Sequence, residues 1–147
     1  MKLVIQRVSK AWVKNLSSGQ SREIQKGVVV FVGFSKDDSE TVIARAVDRI
    51  LGLRIFPEEG EKGDFSISVK EGNFEILVVP EFTLYGNIKK GRRPDFGEAK
   101  NFNEAKSLYE KFLEELKKHT EFKSGWFGAM QEVAIFNFGP VTLIYEK

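Results

Sequence analysis

The run Gly27–Phe34 (GVVVFVGF) limits the possible folds more than any other part of the chain. It is almost wholly apolar and mostly β-branched, so both faces of the extended backbone are hydrophobic. A run of that kind is expected as a buried central strand. Neighbouring segments supply partners for it. Leu3 and Ile5 alternate with Lys2, Val4 and Gln6, the period of two that marks a strand. Ala11–Leu16 and Arg22–Ile24 flank the turn-rich Ser17-Ser18-Gly19-Gln20, which predicts a hairpin.

Two helices are legible. Asp37 or Asp38 is a candidate cap for a helix running to about Leu51, with Val42, Ile43, Ala46, Val47 and Ile50 on its apolar face. A second helix is expected from about Asn101. Glu104 stands at the capping-box position, and the stripe is Ala105, Leu108, Tyr109, Phe112, Leu113 and Leu116. Leu53–Phe56 reads as a short strand before a charged, Gly-rich loop. Phe65, Ile67 and Val69 alternate with serines, and Phe74–Val79 is an apolar strand interrupted by Pro80. Further strands are expected at Phe122–Trp126, Met130–Phe136 and Val141–Tyr145. Strands and helices do not alternate regularly. That favours an α+β single domain over residues 1–147, with a mixed or mostly antiparallel sheet, or a barrel-like core, and two main helices.

Composition removes several kinds of chemistry. There is no cysteine, so disulfides, thiolate nucleophiles and Cys-based zinc sites are excluded. The single histidine, His119, falls among lysines at the end of the second helix, where it is expected to be solvated. A Ser-His-Asp triad is therefore not expected, and neither phosphate-binding glycine motif is present. No metal or cofactor is expected. A net charge of only +2 does not mark a general polyanion binder. No apolar run approaches the roughly 18 residues of a membrane span. The first residues read as a strand rather than a signal peptide, so a cytoplasmic, non-membrane protein is expected.

Four features do not read as plain framework. Pro80-Glu81-Phe82-Thr83-Leu84-Tyr85-Gly86 sets a carboxylate, an alcohol and two aromatics at a strand end. Periodicity alone reads it as a strand end with a turn at Gly86. Asn137-Phe138-Gly139-Pro140 breaks an apolar strand and reads locally as a β-turn. Lys89, Lys90, Arg92 and Arg93 surround Gly91 in a loop that fits either phosphate contact or plain solvation. Arg7 falls on the face of Leu3 and Ile5. A charge there needs partners, unless the side chain snorkels out. Trp12 and Trp126 are read as core residues.

Taken together, these segments resemble the D-aminoacyl-tRNA deacylase family, also called D-tyrosyl-tRNA deacylase. The match runs the length of the chain. It takes in Val4-Ile5-Gln6-Arg7-Val8-Ser9, Leu53-Arg54-Ile55-Phe56, Phe82-Thr83-Leu84-Tyr85-Gly86, Gly91-Arg92-Arg93-Pro94, Phe127-Gly128-Ala129-Met130 and Asn137-Phe138-Gly139-Pro140-Val141-Thr142. The resemblance implies hydrolysis of the ester between a D-amino acid, or mischarged glycine, and the terminal ribose of tRNA. It also implies a homodimer with sites at the interface. Gly139 and Pro140 match a cis pair that one subunit inserts into the other's site, where backbone carbonyls would exclude an L side chain. Arg7 matches the residue holding that pair. Thr83 and Phe82 match the lining around the scissile ester, and Glu81, Asn137 and Met130 belong with the substrate contacts. Lys89, Lys90, Arg92 and Arg93 are the expected tRNA contacts.

The resemblance also suits the missing histidine, because the ester is already activated and the ribose 2′-hydroxyl can assist water. Positioning and backbone donors at the oxyanion then carry the reaction. Thr83 as a nucleophile is the alternative mechanism, for which no base is visible in the sequence. One departure stands out: the family usually has Ser-Gln where this chain has Pro80-Glu81. An ionised Glu81 cannot replace an amide donor. That departure motivates a second expectation, a tRNA-binding dimer without catalysis. A third is a metal-assisted hydrolase using Asp37, Asp38 or Glu81, although a helix cap and a solvent-facing position account for those acids.

Overall fold

A computed structural model describes residues 1–58 and 65–147. Most of the charged, Gly-rich loop expected after Pro57 lies outside the described residues. Among the described residues the chain forms strands β1 (Lys2–Asn15), β2 (Ser21–Ile24) and β3 (Gly27–Gly33), then helix α1 (Ile43–Gly52). Strands β4 (Arg54–Phe56), β5 (Ile67–Ser68) and β6 (Glu75–Pro80) follow. Helix α2 (Phe102–Lys117), β7 (Lys123–Ser124) and β8 (Gln131–Glu146) complete it. The fold is α+β, with two α-helices and a mixed sheet.

The hydrophobic run is central, as its two apolar faces require. β3 lies between β1, antiparallel to it, and β6, parallel to it, in the order β2-β1-β3-β6-β7, with β8 on the other edge of β1. Val28, Val30 and Val32 face the helices, in one cluster with Ile50, Leu108 and Phe112. Val29 points the other way, into a second cluster with Val8, Val13, Ile24, Leu77 and Val79. The sheet curls around this second cluster until its two ends meet. Arg22 of β2 donates to the Ser124 carbonyl and, at 3.1 Å, to the Ser124 Oγ of β7, with its guanidinium 4.2 Å from the Trp126 ring centroid. The core is therefore a nearly closed barrel with two helices packed outside.

Local signals decide where the helices start, not always as predicted. At α2 Asn101 is the N-cap, and its side chain accepts from the Glu104 N–H at 3.1 Å. Glu104 does not complete the box; its carboxylate turns to Lys100 at 3.2 Å. Neither Asp37 nor Asp38 caps α1. A 3₁₀ turn at Glu40–Val42 precedes that helix, and Ser39 and Val42 begin the two segments without side-chain caps. Asp38 has a stronger partner: the Met1 ammonium lies 2.5 Å from its carboxylate, which also accepts from the Ser35 N–H at 2.7 Å. A charge-assisted bond between remote segments outcompetes a local cap.

Two strand expectations also change. Phe122–Trp126 pairs only through Lys123 and Ser124. The two strands expected either side of Asn137–Pro140 are one, β8, which stays on β1 throughout. Thr142 is opposite Gln6 and Asn137 is opposite Val8, so two steps along β1 span five along β8. Residues 138–141 bulge out of the ladder instead of turning the chain. The Gly139–Pro140 peptide bond is cis.

Candidate functional site

The segment after β6 is fixed by its own carboxylate. Glu81 donates its N–H to the Val32 carbonyl at 2.8 Å, keeping it on the β3 edge. Its side chain then caps a 3₁₀ turn over Phe82–Tyr85. The Oε1 atom accepts from the Thr83 N–H at 3.2 Å and from Thr83 Oγ1 at 2.6 Å. Two readings change here. Phe82–Tyr85 is a helical turn rather than a strand end, and Glu81 is half-buried with an intramolecular role, not a solvent-facing acid. The expectation that no base stands near Thr83 is corrected as well, because this carboxylate is within hydrogen-bond reach of its hydroxyl.

Glu81 and Phe82 line a cleft of about 520 Å³ between this turn, the start of α2 and the start of β8. Its walls are apolar, with Val79, Phe102, Phe127, Met130 and Val133 among them. Phe102 meets Phe127 edge-on, with ring centroids 5.3 Å apart. Gly128 turns the chain here at φ +74°, and a Cβ there would come within 2.9 Å of the Phe102 ring. The Trp126 N–H donates to Gln131 Oε1 at 2.6 Å and closes the 126–131 turn, which leaves Met130 74% exposed at the rim. Phe102, Lys100 and Gln131 also line the cleft but were not singled out from sequence. Phe102, the first residue of α2, is three before Ala105 and seven before Tyr109, so the helical period itself puts it on the face of the stripe.

A second group forms where β8 bulges. Arg7 is 2% exposed, so it does not snorkel. Its Nε donates to the Phe138 carbonyl at 2.9 Å, and its Nη1 donates to the Ile55 carbonyl at 2.6 Å. The guanidinium lies 4.6 Å from the Phe138 ring centroid. Arg7 thus ties the bulge to β4 across the core. Asn137 is oriented with its amide nitrogen towards the carbonyls of Arg7 (3.2 Å) and Val141 (3.3 Å), since the opposite orientation would face oxygen to oxygen. Gly139 and Pro140 are left exposed on the outside.

The two groups do not meet within one chain: Arg7, Asn137, Gly139 and Pro140 are absent from the cleft lining. Around the bulge the sheet shows bare hydrophobic side chains, with Phe136 56%, Phe138 42% and Ile144 71% exposed. Apolar groups this large, close together on one strand, mark a surface that is usually covered.

The basic loop is clamped at its base by an antiparallel bridge between Asn87 and Asp95. Phe96 anchors it against Phe82, with ring centroids 5.1 Å apart. Lys89, Lys90, Arg92 and Arg93 all project into solvent. Burial, reinforced by the Asp38 charge, pushes the Tyr85 phenol up to about 12, so it stays neutral at the end of the 3₁₀ turn. His119 lies on the surface, 3.4 Å from Glu115. No helix among the described residues is long and apolar enough to cross a membrane.

Comparison with known proteins agrees with this fold. The family model described as D-Tyr-tRNA(Tyr) deacylase matches residues 4–146. A D-aminoacyl-tRNA deacylase from Aquifex aeolicus is 48% identical, over 100% of this chain and 98% of its own length. Another from Staphylococcus haemolyticus is 45% identical, over 100% of this chain and 96% of its own length. A solved structure titled "c-Myc DNA Unwinding Element Binding Protein" superposes with a TM-score of 0.92 at 39% identity, covering 100% of this chain and 99% of that one. With a match from the first strand to the last at nearly half identity, the chain belongs to the D-Tyr-tRNA(Tyr) deacylase family.

Proposed function

We propose that this protein hydrolyses the ester of D-aminoacyl-tRNA, and of glycine mischarged on tRNA, as a homodimer whose sites form between subunits. The observation that carries this reading is the separation of the two halves of the site. An apolar cleft bears Glu81, Phe82 and Met130, and elsewhere an exposed backbone bulge at 138–141 is braced by a buried arginine. Two copies placed with their β8 faces together would cover Phe136, Phe138 and Ile144 and bring each bulge to the partner's cleft. The named activity of the curated relatives supplies the substrate class.

In this arrangement the Gly139–Pro140 backbone would stand against the α-carbon of the substrate. Hydrogen or a D side chain passes there, whereas an L side chain meets backbone. Water adds to the ester carbonyl, the bond to the ribose oxygen breaks, and a D-amino acid and a tRNA with a free terminal hydroxyl leave. The protein's contribution is to orient the ester and place donors around the developing oxyanion. Thr83, with its hydroxyl bound to Glu81, stands next to the cleft residues Glu81 and Phe82 and is not itself part of the lining. Incubation with D-Tyr-tRNA and L-Tyr-tRNA tests the reading. The D form is expected to be cleaved at least about tenfold faster, which corresponds to about 1.4 kcal/mol in the barrier. Equal cleavage of both, or of neither, rules it out.

The basic loop would contact the tRNA phosphates. Replacing Lys89, Lys90, Arg92 and Arg93 together by alanine is expected to weaken tRNA binding and flatten its log–log salt dependence by about 3 units. Filter binding across a salt series measures this, and an unchanged slope would remove the loop from the interface. A second reading, a tRNA-binding dimer without catalysis, is motivated by Pro80-Glu81, which stands where the resemblance implies Ser-Gln and brings a carboxylate in place of an amide donor. That reading gives the same salt dependence with no ester cleavage.

A further inference from the structure

We infer that Phe96 is a positioning residue for the proposed deacylation: it holds the Phe82 ring in the wall of the cleft without lining the cleft itself. The inference deepens the deacylase reading and rests on it for the reaction served.

Phe82 lines the cleft, yet it is 57% exposed. Burial in the core therefore does not fix its ring, and an unrestrained ring samples several rotamers. Giving up those rotamers when a substrate enters costs free energy. The aromatic partner of Phe82 among the described residues is Phe96, edge-on at 63° with centroids 5.1 Å apart, a favoured geometry for two rings. Phe96 is absent from the cleft lining, so its route to a substrate runs through Phe82.

Phe96 itself is held from both sides. The residue before it, Asp95, exchanges both backbone hydrogen bonds with Asn87, at 2.7 and 3.0 Å. Beyond it, Ala99 bridges to Ser35 past the end of β3 and donates its N–H to the Phe96 carbonyl at 2.9 Å. The ring also lies against the turn that carries Phe82. A Cβ at Gly86 would come within 3.0 Å of the Phe96 ring and of the Thr83 carbonyl oxygen, and a glycine there admits the close approach. The cleft wall is thus set by a ring anchored in the neighbouring loop, and Phe82 needs no ordering when substrate arrives.

Two measurements test this assignment. The first is fluorine NMR on protein grown with 4-fluorophenylalanine. The Phe82 signal, one of thirteen, is identified by its loss in Phe82→Leu. In Phe96→Ala that signal should move to the position of a solvent-exposed ring. The second is single-turnover cleavage of D-Tyr-tRNA. Phe96→Ala should slow it at least about fivefold, within the range of one edge-on aromatic pair. When Phe82 is already leucine, the same change should cost less than about twofold, because the ring to be positioned is gone. A merely structural Phe96 would cost the same in both backgrounds. Phe96→Leu keeps apolar volume without the aromatic edge. It is the second variant if alanine prevents folding, and it should shift both readouts in the same directions. An unmoved Phe82 signal, an unchanged rate in the parent background, or an equal loss in both backgrounds overturns the inference. The fluorine signal does not depend on turnover, so failure of the parent protein to cleave D-aminoacyl-tRNA would count against the deacylase reading alone.

Discussion

Arg7→Met is expected to lower kcat/KM on D-aminoacyl-tRNA by at least about a hundredfold, near 2.7 kcal/mol in the barrier. The chain should remain folded, though less stable. Arg7 is buried at 2% exposure, and it donates to the Phe138 and Ile55 carbonyls at 2.9 and 2.6 Å. Methionine fills similar volume but donates nothing. Each of the two abandoned carbonyls costs about 1–3 kcal/mol, so a stability loss of roughly 2–6 kcal/mol is expected from urea unfolding. The catalytic loss is separate. Without the guanidinium the tie between the 138–141 bulge and β4 is lost, and a shift of about 1 Å in a positioning element can cost a hundredfold in rate. Arg7→Lys should rescue little, because a compact ammonium does not match the forked geometry that spans two carbonyls. Full turnover in a destabilised Arg7→Met protein would show that the bracing serves folding only.

Gly139→Ala should have the opposite balance, with turnover falling by at least about a hundredfold while stability moves by only about 0.5 kcal/mol. Gly139 is exposed. A Cβ built there meets only the end of the Asn137 side-chain amide, at 3.0 Å, with the next atom at 3.9 Å. One flexible side chain can move aside, so the isolated chain tolerates the methyl. In the proposed dimer that methyl projects to where the substrate's α-carbon must come. Paired measurements of kcat/KM and the unfolding midpoint test this, and wild-type turnover would remove Gly139 from the pocket.

Much of the fold was legible because its causes are local. The buried Val28–Val32 run had to be central, and the stripe of α2 with its Asn101 cap announced that helix. Features decided by distant partners were not legible. Asp38 could be read as a cap because nothing in its neighbourhood shows that the Met1 ammonium arrives beside it. The break at Asn137–Pro140 looked like a turn because pairing with β1 on both sides of a bulge is a long-range property. Arg7 was flagged by its register, but burial became evident only once β4 and the bulge supplied carbonyls. For the candidate site, the 81–83 and 137–140 segments stood out as unusual residues at strand breaks. The Glu81–Thr83 bond and the closing of the wall by Phe127 depend on three-dimensional packing and left no periodic trace, whereas Phe102 is in phase with the α2 stripe.

The distance between bulge and cleft has a bearing on inheritance. If each working centre draws its two halves from different copies, damage to Gly139 and damage to Glu81 need not add when both kinds of chain share a cell. A hybrid pair would carry one centre spoiled twice and one left whole, so two separately defective alleles could complement each other.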